Sequence, residues 1–446
     1  MNFLEILEIF LLQEEFFTNF VNFSLISYKI NEWVLMLNKL IKRDMYVNNL
    51  KDYINTDFVK VYIGIRRSGK TSLMHNIIDE IKSMGVKNEN IIFISFESRE
   101  YAYINNSQQL DEIIFSKTEN LEGKVYLFFD EIQQVNGWEK SINMYRVSID
   151  SDIYITGSNS KLLSGELATL LTGRYLTIPV YPFSFKEFLQ YKNEIEGIEL
   201  TNETINELYD DYFNFGGMPG ILSLGNDEFK KLALKDIFNS ILFEDVVSRF
   251  NINNIDLLHR FSRYMISSTG EIFSSKSIKN YLKSNNIYTS QDTLLKYNDY
   301  LTQSFFISKC KCFELKGKKE MKILGKYYLA DHGFHHSLIE NNILKVTKIL
   351  ENIVYVELLR RGYKVNVGRN TDNTEVDFVC EKSGQYKYIQ VSYRLTNEKT
   401  LTREITPLLK IPDKYETILI TTENHDFSKE GVKHLNIIDF LCGDDV

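Results

Sequence analysis

A chain of 446 residues with 43% hydrophobic and 13% aromatic residues has material for two to four folded domains, which excludes a largely disordered chain. Its 52 Lys and Arg against 60 Asp and Glu leave a net charge of −8, which excludes a globally basic nucleic-acid binder. Four cysteines (Cys310, Cys312, Cys380 and Cys442) make no paired C-x-x-C spacing and no disulfide framework, so a reducing, cytoplasmic setting is expected.

The first 45 residues read as a partly helical N-terminal extension. The run MNFLEILEIFLLQEEFFTNFVNFSLISYKINEWV is apolar but broken by Glu5, Glu8, Glu14 and Glu15, with no basic segment before it. No stretch reaches the ~18 uninterrupted apolar residues of a membrane span, so neither a signal peptide nor a membrane contact is expected. An amphipathic docking helix and an upstream extension of a protein that starts at Met36 both stay open.

The sharpest signal comes next. VKVYIGIRRSGKTSLMHNIIDEIKSMG predicts an apolar strand over 59–63, the loop Gly64 to Thr71 in the pattern G-x-x-x-x-G-K-[ST], and a helix with Leu73, Met74, Ile77, Ile78 and Ile81 on one face and Gly85 as its stop. Gly64 and Gly69 let backbone N–H groups turn inward on phosphate oxygens, and the helix N-terminus adds partial positive charge. Arg67, Ser68, Gly69, Lys70, Thr71 and Ser72 would line that cradle, with Lys70 on the β- and γ-phosphates and the Thr71 hydroxyl on Mg²⁺. KVYLFFDEIQQV predicts a buried strand ending in Asp130 and Glu131, the Walker B pattern: Asp130 for Mg²⁺, Glu131 to polarise the attacking water. DIYITGSNSKLL adds a strand whose polar tip, Thr156, Ser158 and Asn159, can sense the γ-phosphate. Arg174 in LLTGRYLTIPV is a candidate arginine finger, in cis or on a neighbouring subunit. Glu97 ends the strand after the first helix, with Glu131 or a partner as its contact. This order of parts is similar to the AAA-type branch of P-loop ATPases.

From about residue 185 to 250 helices are broken by FGGMPGIL, where a lid would sit. Residues 256–330 carry 13 Lys and Arg against 6 Asp and Glu, a local balance of +7 that leaves −15 for the rest. Helical stretches at 256–268, 275–284 and 290–303, then strand-like FFISKCKCFEL and KILGKYYLAD around KGKKEM, resemble a winged helix. DNA contact through it and packing on the ATPase domain both stay open. The histidines of DHGFHH read as a loop leading into a helix rather than a metal cluster.

The last segment predicts a helix, KILENIVYVELLRRGYKV, stopped at Gly362, strands at 363–367, 375–380 and 386–393, a helix near 399–410 and the strand YETILIT. Glu351 and Glu357 on the helix, Asp377 on one strand, and Gln390 and Ser392 at i, i+2 on the next follow the layout of restriction-endonuclease-like Mg²⁺ sites, which place lysine where Ser392 stands. Without that ammonium, and with Gln390 in place of a second carboxylate, an inactive site is expected, with Asp377 held by backbone N–H groups or a cation such as Arg394. FDEIQQVNGWE, ITGSNSKLLS, LTGRY, GGMP, YPFSFKEF and TEVDFV together resemble the prokaryotic ATP-binding proteins that join an AAA-type domain to a C-terminal domain of unknown function; residues 1–35 lie outside the resemblance.

The expected fold is α/β: an extension over 1–45, a P-loop AAA-type core over 46–195, a helical lid over 196–250, a winged helix over 251–336 and a restriction-endonuclease-like domain over 337–446. The expected activity is Mg-dependent ATP hydrolysis in a chain able to form homo-oligomers. The rivals are an ATP-switched DNA-binding regulator with little turnover and an ATP-gated, metal-dependent nuclease.

Overall fold

The computed structural model describes residues 40–158, 162, 171, 173–317, 319–339, 346–370 and 374–443. After α1 (Asp44–Leu50), the apolar run VKVYI forms β1 (Val59–Ile63), buried at every position. The loop Gly64–Gly69 leads into α2 (Lys70–Ser83), which turns Leu73, Met74, Ile77, Ile78 and Ile81 inward. Gly85, at φ +88°, ends that helix in the left-handed conformation that glycine adopts without strain. Next come β2 (Ile91–Ser95), α3 (Ser107–Thr118), β3 (Val125–Asp130), α4 (Trp138–Ser148), β4 (Ser151–Gly157) and β5 (Tyr175–Pro179). These five strands form a parallel sheet in the order β2-β3-β4-β1-β5. Because the strands are parallel and β4 lies between β1 and β3, the loop after Ile63, the acids after Phe129 and the polar residues after Ile155 open on one edge.

Helices α5 (Phe185–Glu194), α6 (Asn202–Phe215) and α7 (Asp227–Ser240) come after the sheet, and α7 continues into a π-helical stretch, Ile241–Val247. The Ser184 side chain and Glu187 close a reciprocal capping box on α5. Then α8 (Ile255–Ser267), α9 (Ser275–Ser284) and α10 (Gln291–Gln303) lie close to the expected helical stretches, capped by Asn254, Ser274 and Ser290.

The hairpin β6 (Ile307–Glu314) and β7 (Lys319–Leu329) does more than the wing expected of it. It is succeeded by α11 (Gly333–Leu338), α12 (Val346–Arg360), β8 (Lys364–Arg369), β9 (Glu375–Lys382), β10 (Gln385–Val391), α13 (Glu398–Leu409), β11 (Glu416–Thr421), β12 (Val432–Asn436) and α14 (Ile437–Cys442). Strand β6 pairs in parallel with β8, Cys312 opposite Val367 and Phe313 opposite Gly368. The second sheet is therefore mixed, in the order β12-β11-β10-β9-β8-β6-β7, and it crosses the boundary expected at residue 336. One apolar core runs from Phe185 and Phe238 through Phe306 and Tyr328 to Ile353 and Ile420, tying the helices after the first sheet to the second sheet. Among the described residues no helix is long and apolar enough to cross a membrane, and the four cysteines are free thiols. The apolar N-terminal run lies outside the described residues, which begin at Leu40.

Candidate active site

The loop is shaped by residues in backbone conformations that side chains resist. Gly69 sits at φ +91° and Arg67 at φ +64°. A Cβ at Gly64 would lie 2.2 Å from the Val180 carbonyl oxygen, so only glycine fits there. Ser68 is fully buried and its Oγ has no hydrogen-bond partner among the described residues. Lys70 is buried at 4% exposure; its Nζ donates to the carbonyls of Gly64 (3.2 Å) and Ile65 (3.3 Å) and lies 3.6 Å from Glu131 Oε1. A buried ammonium on loop carbonyls and an unsatisfied hydroxyl beside it suit a multiply charged anion. Thr71 lies in the first turn of α2, Ser72 is half-buried beside it, and Arg67 is exposed.

The acids arrive from β3. Asp130 accepts from Thr71 Oγ1 at 3.0 and 3.1 Å, from Ser95 Oγ at 3.1 Å and from Thr156 Oγ1 at 2.7 Å. Thr156 in turn accepts the Glu131 N–H at 2.8 Å. The loop hydroxyl and the β3 carboxylate, both expected at Mg²⁺, thus touch directly across the sheet edge, which fits a Mg²⁺ ion that keeps several waters and phosphate oxygens. Glu131 has a left-handed backbone (φ +55°), strained for a non-glycine residue, and its carboxylate also accepts from the Gln133 amide. Asn159 lies outside the described residues. Arg174 is exposed, and its carbonyl accepts the Val59 N–H at the opposite end of β1 from the loop. About 16 Å of strand separates it from its own P-loop, so a finger acting in cis is not assembled. Glu97 pairs with Arg66 at 2.9 Å rather than with Glu131.

One participant was invisible in the sequence. Arg43, inside the expected extension, is 1% exposed; its guanidinium donates to the Ser68 carbonyl (3.2 Å), to Glu187 (2.7 and 3.0 Å) and to the Tyr181 carbonyl (2.9 Å). Although burial opposes its charge, Glu187 raises the Arg43 pKa above its ordinary value. No motif marks a lone arginine ahead of a short helix.

The second sheet gathers Glu351, Asp377, Gln390 and Ser392 around a cleft of about 410 Å³, lined also by Lys348 and Arg394. Glu357 is not among them. Six residues along a helix put it about 120° from Glu351, and there it pairs with Arg360 and with Arg361 (2.8 Å). The missing ammonium has a substitute from the expected wing. Lys326 of β7, 2% exposed, reaches Glu375 at 2.5 Å, Glu351 at 3.7 Å and Asp377 at 3.8 Å. Burial disfavours its charge, yet the three carboxylates raise its pKa well above the ordinary lysine value. Asp377 accepts the Val391 N–H at 3.0 Å, so the expected backbone anchor is present, while the cation beside it is Lys326 and not Arg394, which is exposed and stacks over Tyr393. Burial, then the neighbouring Glu351, push the Asp377 carboxyl up to about 7. Gln390 spends its amide on Glu404 (3.2 Å), and Lys348 pairs with Glu351 (2.8 Å). Among the described residues no three of His, Cys, Asp and Glu are grouped to hold a metal ion.

Family models match three consecutive parts: an AAA domain over residues 56–189, a domain of unknown function (DUF8612) over 206–345 and another (DUF4143) over 346–440. The chain is similar to an uncharacterized protein of Haemophilus influenzae, 37% identical over 91% of this chain and 100% of the relative. It is also similar to MJ1544 of Methanocaldococcus jannaschii, 32% identical over 90% of this chain and 88% of the relative. Among solved structures it is similar to the Walker-type ATPase PABY2304 of Pyrococcus abyssi, with a TM-score of 0.42 and 18% identity over 68% of this chain and 96% of the other. With a parallel sheet that carries a P-loop and an acid pair on one edge, and near full-length likeness to the Haemophilus protein, the chain belongs to the family of AAA-type P-loop ATPases that carry domains of unknown function after the AAA domain.

Proposed function

We propose that the chain binds ATP with Mg²⁺ at Gly64–Ser72 and hydrolyses it, and that its C-terminal carboxylate cluster, whose Lys326 is buried and taken up by three carboxylates, cuts no nucleic acid. The observation that carries the first part is the meeting of Lys70, Thr71, Asp130 and Glu131 within hydrogen-bond or ion-pair reach on one sheet edge. Lys70 holds the charge of the outer phosphates. Thr71 and Asp130 hold Mg²⁺, which when bound neutralises charge on the transferring phosphate. Glu131 orients and polarises the attacking water once it turns from Lys70 and Gln133. Arg174, distant from its own loop, is assigned to a neighbouring copy of the chain, and Asn159 to the strand tip. A cytoplasmic location goes with this reading.

Two variants test it. Lys70→Ala removes the principal charge on the phosphates and abolishes nucleotide binding. Glu131→Gln keeps binding and loses turnover. ATP at 100 times its Kd raises wild-type stability by about 2.7 kcal/mol, and this gain is absent from Lys70→Ala. Wild-type turnover in Glu131→Gln would overturn the assignment of the base. The engagement of Glu131 with Lys70 and Gln133 favours a second reading, a slow ATP switch that regulates contact with DNA. Tight ATP retention with negligible turnover by wild-type protein selects it.

A further inference from the structure

The lid brings one more charged group to the edge where the P-loop and strand tips meet. Helix α7 does not end at Ser240 but widens into the π-helical stretch Ile241–Val247, a geometry that gathers at functional sites. Asp245 lies on this stretch and is 4% exposed. Its Oδ1 accepts from Ser158 Oγ at 2.9 Å and lies 4.0 Å from Arg66 Nη1. Its Oδ2 is buried and has no hydrogen-bond partner among the described residues. Ser158 comes directly after β4 and Arg66 belongs to the phosphate loop, so a single lid carboxylate touches two of the segments that frame the nucleotide site.

The charges that bear on Asp245 come from every side. The Ser158 hydrogen bond, Arg66 and Lys70 favour its ionised form and Glu131 opposes it, while Asp245 in turn favours the charge on Arg249, one turn further along with its Nη1 buried and without a hydrogen-bond partner among the described residues. Burial outweighs the favourable contacts, and the carboxyl is pushed up to about 6. A half-satisfied buried carboxylate is stable only while nearby positive charge offsets it. The terminal phosphate of ATP competes for that charge: Lys70 turns to it, and Arg66 is near enough to do the same. Two anions cannot share a buried edge with the same cations, so one must take up a proton or withdraw.

We propose that Asp245 is the lid's sensor of the third phosphate: it binds Ser158 and Arg66 when the nucleotide lacks that phosphate and lets go of them when it is present. The sensor rests on the reading of Gly64–Ser72 as the nucleotide site. It is a positioning residue, and its effect is to make the lid distinguish ATP from ADP.

The test compares Mg-ADP with the non-hydrolysable β,γ-imido analogue of ATP by titration calorimetry at pH 7, in two buffers of different ionisation enthalpy. Wild-type protein takes up protons on binding the triphosphate and none on binding ADP. Asp245→Asn keeps an acceptor for Ser158 but carries no charge: its triphosphate affinity rises about tenfold, ADP affinity stays within twofold, and proton uptake disappears. Ser158→Ala, which frees the carboxylate without removing it, shifts the triphosphate in the same direction by a smaller factor and keeps proton uptake. A triphosphate-to-ADP affinity ratio that stays within twofold of wild type in both variants overturns the sensor and leaves the nucleotide site standing. Failure of wild-type protein to bind either nucleotide overturns the site and the sensor together.

Discussion

Burying an ammonium group is unfavourable by several kcal/mol unless carboxylates meet it, and Lys326 is met by three. Lys326→Met should therefore destabilise the protein by about 3–5 kcal/mol, because Glu351, Glu375 and Asp377 would be left crowded without their cation. Chemical unfolding at pH 8 reads the loss, Lys326→Arg should recover part of it, and turnover of ATP at 25 °C should stay close to wild type. Supercoiled and linear DNA incubated with wild-type protein, ATP and Mg²⁺ or Mn²⁺ should remain intact; cutting that disappears in Asp377→Ala would reverse the reading of this cluster. The carboxylate layout could be read from strand parity, since Asp377, Gln390 and Glu351 do converge. The lysine could not. It lies on β7, far upstream, and that strand enters the sheet through β6, which pairs with β8. The same holds for Arg43 and Asp245, whose partners are chosen by packing and not by spacing.

At the level of elements, the break GGMP does more than punctuate helices. Asp331, after β7, accepts the N–H groups of Gly217 and Gly333, both at 2.8 Å, and His332 donates from Nε2 to the Tyr212 carbonyl at 2.7 Å. A Cβ at Gly217 would lie 2.1 Å from the Phe183 carbonyl oxygen, so Gly217→Ala should force the backbone apart and lose about 1–3 kcal/mol or more. The two titrating groups pull in opposite directions. Burial pushes Asp331 up to about 6, so its contribution to stability is greatest in acid and is lost as pH rises from about 4 through 6. Burial pushes His332 down to about 4, so its contribution is complete above about pH 6.5 and is lost as pH falls towards 4. Within this pair the slopes largely cancel. Relative to wild type, His332→Gln should tilt stability downward with rising pH between 4 and 6, and Asp331→Asn should tilt it upward, by roughly 1.4 kcal/mol per unit at most. Melting temperatures across pH 4–7 decide; profiles parallel to wild type in both variants would sink the account. Helix ends here were readable from capping residues and glycines. The π-helical stretch was not, because no residue pattern distinguishes it from the helix it continues.

For the whole molecule, two buried arginines join the ATPase core to the segments on either side of it, Arg43 from ahead of α1 and Arg360 from α12. Arg43 grips the P-loop carbonyl of Ser68 and the Tyr181 carbonyl, while Arg360 donates to the next carbonyl, Pro182, at 3.0 Å. The test of contact with DNA belongs to this scale too. Burial of Lys326 removes one charge from the basic segment, and Lys276 and Lys283 remain exposed on α9 with Tyr281. If α9 meets a duplex, changing Lys276 and Lys283 to Ala should reduce the slope of log K against log salt by about 2, and absence of binding to mixed-sequence duplex at low salt, with or without ATP, would assign α9 to packing alone. The shared sheet has a further consequence, for any division of the chain. The family boundary between residues 345 and 346 runs between β6 and β8, which hydrogen-bond to each other. A division at that point would strip one side of each strand, giving two proteins with raw, adhesive edges in place of one continuous sheet. The two domains of unknown function therefore share one sheet, and a chain divided between them would have to replace the hairpin to cover the exposed edge.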